Sequence, residues 1–270
     1  MAITGVVSFW VFPLLSSLVW MGMLLGMLLS WVIEDKYRHY DTMASRATIA
    51  FISNIGADRL QPLFITGCIL TACLFDVGLI AEPILRLKGR LVLYKSTSEK
   101  VLCAFNIFFA VVGSVGLICL SIFRTGWPGR LHWVFLSLFI VGYLLSAIFL
   151  CAMYQRMAAK NPEHPELRVS FLMKLVFIIL EMVLLVCFVA CRKRKRDMSA
   201  IFEWTISFVF SFYVFHFVMD LYPAVHTVSL QSRFIAPVED EKPGAPGPAR
   251  APLPARMLAI WRSRDPERQL

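Results

Sequence analysis

Charge is what this sequence has least of. Only 17% of its 270 residues are Asp, Glu, Lys or Arg, against about a quarter in a soluble domain. The charges gather in short stretches and leave long apolar runs nearly free of them. Other absences narrow the field. No Walker loop is present, which argues against an ATP-driven pump. None of the seven cysteines forms a CxxC pair or a His/Cys metal spacing, and none lies in a long polar loop. Neither a metal centre nor a disulfide framework is expected. They read as small buried apolar residues, although Cys151 and Cys191 border expected interfaces where palmitoylation occurs. No Asn-x-Ser/Thr acceptor occurs. No aromatic–basic nucleic-acid module is visible, so no nucleic-acid partner is expected. The first apolar run continues to Ile33 with no basic residue before it. It reads as a retained first span, not a cleaved signal.

What is present is apolar. The chain is 58% hydrophobic with a mean hydropathy of +0.68. A bilayer core needs about 20 apolar residues per helix, and six stretches qualify, near 9–33, 62–84, 102–123, 133–154, 170–191 and 201–221. Backbone groups in lipid must be satisfied within the segment, so these are helices. The fold class is all-α: a six-helix membrane bundle over 1–223, then a disordered, basic Pro/Ala-rich tail over 224–270. Pro13 is expected to kink or delay the first helix, Pro62 to open the second, and Pro83 with Gly89 to end it. Asp197 or Ser199 is the expected cap of the sixth. Gly22 and Gly26 form a GxxxG pair suited to packing inside the bundle.

Polar residues at membrane depth are the candidate sites. Asp76 and Glu181 are mid-helix, where a carboxylate costs about 2.5–3.5 kcal/mol or more unless it faces the bundle or is protonated. Asn106, Lys174 and His216 join them. Lys174 and Glu181 lie two turns apart on one face, too far to pair, whereas His216 and Asp220 are four apart and can meet. Glu82, Glu203 and Asp220 lie near helix ends, where water is close. Together these groups suit either a pocket for a headgroup, ion or proton, or interhelical hydrogen bonds that hold the bundle. No triad, metal site, carboxylate pair or cofactor site emerges from their spacing, so catalysis is not expected.

The cations have their own pattern. The second polar loop carries Arg86, Lys88, Arg90, Lys95 and Lys100 against one Glu. The fifth is the run Arg192, Lys193, Arg194, Lys195, Arg196. With a net charge of +9, anionic phospholipid is the expected partner. RMLAIWRSR near the C-terminus places Met257, Leu258 and Trp261 among arginines, and reads as a solvated tail or a membrane-surface contact.

Five stretches in order resemble one family. They are FISNIGADRLQPLF (51–64), LIAEPILRLKGRL (79–91), GLICLSIFRT (116–125), RLHWVFLSLFIVGYLLSAIF (130–149) and FEWTISFVFSFYVFHFVMDLYP (202–223). Together they are similar to the Frag/DRAM/Sfk family, whose domain is also called the CWH-type N-terminal domain, and to its fungal Sfk-type members. Ser53, Asn54, Gly56 and Ala57 match the element before the second span, and Glu82, Glu203 and Trp204 match further recurrent positions. The resemblance implies a non-enzymatic membrane protein that supports a peripheral phosphatidylinositol 4-kinase complex and phospholipid asymmetry at the plasma membrane. Other relatives imply GPI-anchor lipid remodelling or DRAM-like autophagy at endomembranes or the vacuole or lysosome, and lipid transport is a further alternative. Asn54 and Gly56 accept left-handed angles, so a tight turn is expected before span two.

The resemblance also implies a cytoplasmic N-terminus and tail. Charge is divided on this. The second and fourth loops carry eight Lys/Arg and the tail seven, while the first, third and fifth carry eleven. Basic residues near span ends normally face the cytoplasm, so the run 192–196 opposes the family orientation that the second loop and the tail support. A tag inserted after Asp197 is expected to be reached by antibody on intact cells, and a C-terminal tag only after permeabilisation. A protected tag at Asp197 overturns that orientation.

Overall fold

The computed structural model describes residues 8–123 and 129–225. Helix α1 (Val11–Leu29) runs on through a π turn at Ser30–Glu34, and a short α2 (Ile52–Ile55) follows. The long helices are α3 (Gln61–Leu87), α4 (Thr97–Ile122), α5 (Gly129–Lys160), α6 (Pro165–Cys191) and α7 (Arg196–Leu221). A 3₁₀ turn at Tyr222–Val225 ends the described chain. No strand occurs among the described residues, and six helices are long and apolar enough to cross a membrane. The expected tail features, Met257, Leu258 and Trp261 included, lie outside the described residues.

The helices close into a ring in chain order. Each packs on its neighbour, α1 on α3, then α4, α5, α6 and α7, and α7 returns to α1. The second and fourth loops therefore share one end of the bundle with residue 225, the tail end. The first and fifth loops share the other, the loop end. Aromatic rings fill the interior. Phe75 of α3 stands edge-on to Phe217 at 5.0 Å, and Phe210 touches Phe75, Phe139 and Tyr143. Such pairs add about 0.5–1.5 kcal/mol beyond area burial. They matter here because lipid tails are as apolar as the core, which weakens the hydrophobic drive between helices.

Backbone proximity supplies the rest. A Cβ on Gly116 would sit 2.5 Å from the Phe139 nitrogen, and one on Gly142 would sit 2.5 Å from the Gly113 nitrogen. The α4–α5 hairpin is therefore tight because glycine lets the two backbones meet. The expected GxxxG pair plays no such part. A Cβ on Gly22 meets nothing within 4 Å, and one on Gly26 makes ordinary contact with Leu63.

Four local expectations need correction. Pro13 is the third residue of α1, where its missing N–H is one the helix would leave unpaired anyway. Pro83 lies inside α3, which continues to Leu87; Gly89, at φ 68°, follows the helix end. Neither Asp197 nor Ser199 caps α7, whose N-cap is Lys195. Gly56 is right-handed (φ −69°). It is glycine for space, since a Cβ there would lie 2.6 Å from the Phe64 ring.

Gly142→Ala is expected to destabilise the bundle by about 1–3 kcal/mol or more, because the clash is with backbone. Gly22→Ala is expected to be neutral or slightly stabilising. Thermal unfolding of the two variants in detergent checks the contrast, and equal melting temperatures would contradict it.

Candidate functional site

The buried charges cluster at the tail end. On α3, Glu82 and Arg86 are four residues apart and each is only 2% exposed. Arg86 Nη2 donates to Glu82 Oε1 at 2.7 Å and to Tyr154 Oη at 3.1 Å, and Nη1 donates to the Val92 carbonyl at 2.8 Å. Tyr154 of α5 donates to the same Glu82 oxygen at 2.9 Å. Its ring then carries the next charge: Lys174 of α6 lies 4.1 Å from the centroid. Lys174 pairs with Asp220 of α7 and donates to Ser170 Oγ at 2.6 Å. Ser170 donates to Asp220 at 2.5 Å and lies 3.4 Å from His216 Nε2. One network of two ion pairs thus joins α3, α5, α6 and α7. The formal charges balance, so nothing ionised is left bare in low dielectric.

A second knot flanks it. Ser96 caps α4 by accepting from the Ser98 N–H at 3.3 Å. Glu99, fully buried, accepts from the Lys95 N–H and from Lys160 Nζ, both at 2.8 Å. Above both knots opens a cleft of about 670 Å³, lined by Arg86, Tyr94, Tyr154, His164, Asp220 and neighbouring loop residues. Burial, then the Glu82 carboxylate, pushes the Tyr94 phenol up, so it stays neutral.

The expected site residues divide sharply. His216 and Asp220 are linked indirectly, each bonding to Ser170. Glu82 and Asp220 lie near helix ends as expected, but both side chains are buried and each is paired with a buried cation. Arg86 faces inward rather than toward lipid. Arg90 donates to the Ala224 carbonyl, and Lys95 to the Lys160 carbonyl at 2.9 Å. Lys88, Lys95 and Lys100 stay exposed.

The mid-membrane candidates are not joined to one another by any hydrogen bond or ion pair among the described residues. Asn106 accepts from Ser146 at 2.7 Å. Asp76 lies beside the Ser114–Tyr143 pair. Glu181 faces an apolar crevice lined by Trp20, Phe177 and Tyr213.

The family-motif residues and Glu203 work at the loop end. Asn54 accepts from the Phe51 N–H at 3.0 Å and donates to Thr42 at 2.9 Å. Glu203 accepts from the Ile52 N–H at 2.9 Å, and Trp204 donates to the Ala50 carbonyl at 3.0 Å. Asp197 accepts from Thr48 and Ile49 backbone N–H groups at 2.8 and 3.1 Å. The start of α7 therefore clasps the first loop. Arg59 pairs with Glu34, and Tyr40 donates to Asp35 at 2.6 Å. Burial and that bond push the Tyr40 phenol up. Glu82 and Glu203 sit at opposite ends, as their helix directions require. Among the described residues Ser53 makes no side-chain hydrogen bond; it lines the crevice wall, and the Ala57 methyl has nothing to donate or accept.

Sequence reasoning missed Tyr154, Ser170, Glu99 and Lys160. The Ser96-x-x-Glu99 capping spacing was a signal for one of them. The i,i+4 spacings Glu82/Arg86 and Ser170/Lys174 pointed to inward pairs. Nothing local marks Tyr154. Among the described residues, no group of three or more His, Cys, Asp or Glu is placed to hold a metal.

A family profile described as the Frag1/DRAM/Sfk1/Cwh43P N-terminal domain matches residues 8–224, which span all six long helices. Protein sfk1 of Schizosaccharomyces pombe is 30% identical over 227 residues, covering 83% of this chain and 67% of its own length. Protein SFK1 of Saccharomyces cerevisiae is 27% identical over 272 residues, covering 74% of this chain and 75% of its own. No solved structure matches the chain. With six apolar spans, a matching family domain over most of its length and relatives of this kind in two fungi, the chain is an integral membrane protein of the Frag1/DRAM/Sfk1 family.

Proposed function

We propose that this protein is a non-enzymatic organiser of membrane phospholipid that supports recruitment of a peripheral phosphatidylinositol 4-kinase complex at the plasma membrane. The observation that carries the reading is the tail-end cleft. Its floor is held by the neutralised Glu82–Arg86 and Lys174–Asp220 pairs, while Lys88, Lys95 and Lys100 stay exposed on the same loop and the start of α4. A fixed floor with exposed cations suits inner-leaflet anionic headgroups, at about 1 kcal/mol per nearby cation. In this reading the buried pairs do no chemistry. They hold the platform in shape.

Two measurements follow from that division of labour. Replacing Lys88, Lys95 and Lys100 together by Gln is expected to lower plasma-membrane phosphatidylinositol 4-phosphate while leaving the protein folded. Unchanged phosphoinositide with normal expression would remove the proposal. Glu82→Ala is expected to cost about 3–5 kcal/mol, because it strands Arg86 in the core. The paired change Glu82→Leu with Arg86→Met is expected to cost far less. Melting temperatures of the single and double variants in detergent test this, and a double variant as unstable as the single would contradict it.

A further inference from the structure

The five cations of 192–196 belong to neither knot of the tail end. None of them makes an ion pair among the described residues. The acids beside them are already engaged, Asp197 with the Thr48 and Ile49 N–H groups and Glu203 with that of Ile52. Arg192 is nevertheless held in place. Its guanidinium lies 3.2 Å from the Trp133 ring centroid. Burial there, and then Arg196, lowers its pKa, as expected where cations gather without an anion.

Arg192 and Arg196 both line the mouth of a crevice, with Thr42, His132, Trp133 and Glu203. The next hollow inward shares Ser53, His132, Leu136, Phe188 and Glu203 with that mouth. A third shares Trp20, Phe139, Ile140, Leu185 and Ile206 with the second, and reaches Glu181. Common walls set the three hollows end to end as a track, cationic at the mouth and apolar below. It follows α5, α6 and α7, and is backed by the first loop at the mouth and by Trp20, Phe64 and Leu117 of α1, α3 and α4 below. From Arg192 to Glu181, α6 descends about 16 Å at ~1.5 Å per residue. That matches half of a ~30 Å hydrocarbon core, the depth one acyl chain fills.

We propose that this track seats one anionic phospholipid, its phosphate at Arg192 and Arg196 and one acyl chain along the seam from Leu136 and Phe188 to Glu181. The inference rests on the lipid-organising reading and gives it a specific site at the end opposite the cleft. Charge complementarity chooses the headgroup: the mouth offers two arginines, one of them stacked on a ring, and Glu203 turns its carboxylate to the Ile52 N–H. Length and apolar lining choose the chain. Trp133 stands at interface depth, where amphipathic rings settle.

The full chain, reconstituted in phosphatidylcholine vesicles, is to be photolabelled with phosphatidylserine bearing a diazirine in its acyl chain. Label is expected on 139–147 of α5 and 178–185 of α6. Arg192→Gln and Arg196→Gln are each expected to cut it about fivefold. Leu185→Trp, which fills the track without touching charge, is expected to cut it too, while Lys88→Gln is expected to leave it unchanged. Melting temperatures confirm that the variants fold. Three results would each overturn the site. One is label spread evenly over outward residues such as Val176 and Val183. The second is equal labelling by a phosphatidylcholine probe that ignores the arginine changes. The third is labelling by a free fatty acid that is equally indifferent to them. If the track stays unlabelled while the Lys88, Lys95 and Lys100 variant still lowers phosphatidylinositol 4-phosphate, the site fails and the broader reading stands.

Discussion

The pairing of Lys174 with Asp220 is the contact on which the rest of the bundle leans. Helix α6 buries few of its residues, and Leu167, Ser170, Lys174 and Phe188 are the ones it does. Most of its length faces outward as Val, Leu and Ile. Lipid offers those side chains about the same environment as a neighbouring helix would, so apolar contact alone gives α6 little reason to dock. Lys174 differs, because an unpaired ammonium at that depth is costly and its partner lies on α7. Ser170 and the Tyr154 ring complete its surroundings, and Tyr154 passes the linkage to Glu82 and Arg86 on α3. Four helices are thereby locked by groups that have nowhere else to go.

The two ends of the bundle use charge differently. At the tail end, acids and bases are buried and matched, which leaves a shaped floor beneath an exposed basic loop. At the loop end the two acids of α7 serve backbone instead. Asp197, Glu203 and Asn54 satisfy N–H groups of the first loop, whose lone short helix, α2, cannot do so alone. That choice leaves the run 192–196 without an ion pair among the described residues. Its unanswered charge beside an apolar crevice follows from how the first loop is held.

The helical architecture was readable from the sequence because each span is a long apolar run, and a bilayer permits few alternatives. The spacing of His216 and Asp220 set them on one helix face, where Ser170 links them. Two errors have a common cause. Arg86 reads as a loop cation because it follows an apolar run, yet α3 continues through Pro83 and carries it inward to Glu82. Gly22 and Gly26 match a packing motif, yet the close approach occurs at Gly113, Gly116 and Gly142. A motif shows that two backbones can meet, but which helix arrives opposite is set by the whole ring.

Sequence by itself determined the medium, the number of crossings, the family and the positions of the cations, since hydropathy and charge are properties of single residues and short runs. Only tertiary structure decided which charges answer one another. Tyr154 meets Glu82 across 72 residues of chain, Lys174 meets Asp220 across 46, and Asp197 meets Thr48 across 149. Pairings at such separations depend on helix register and ring closure, and no local pattern encodes either.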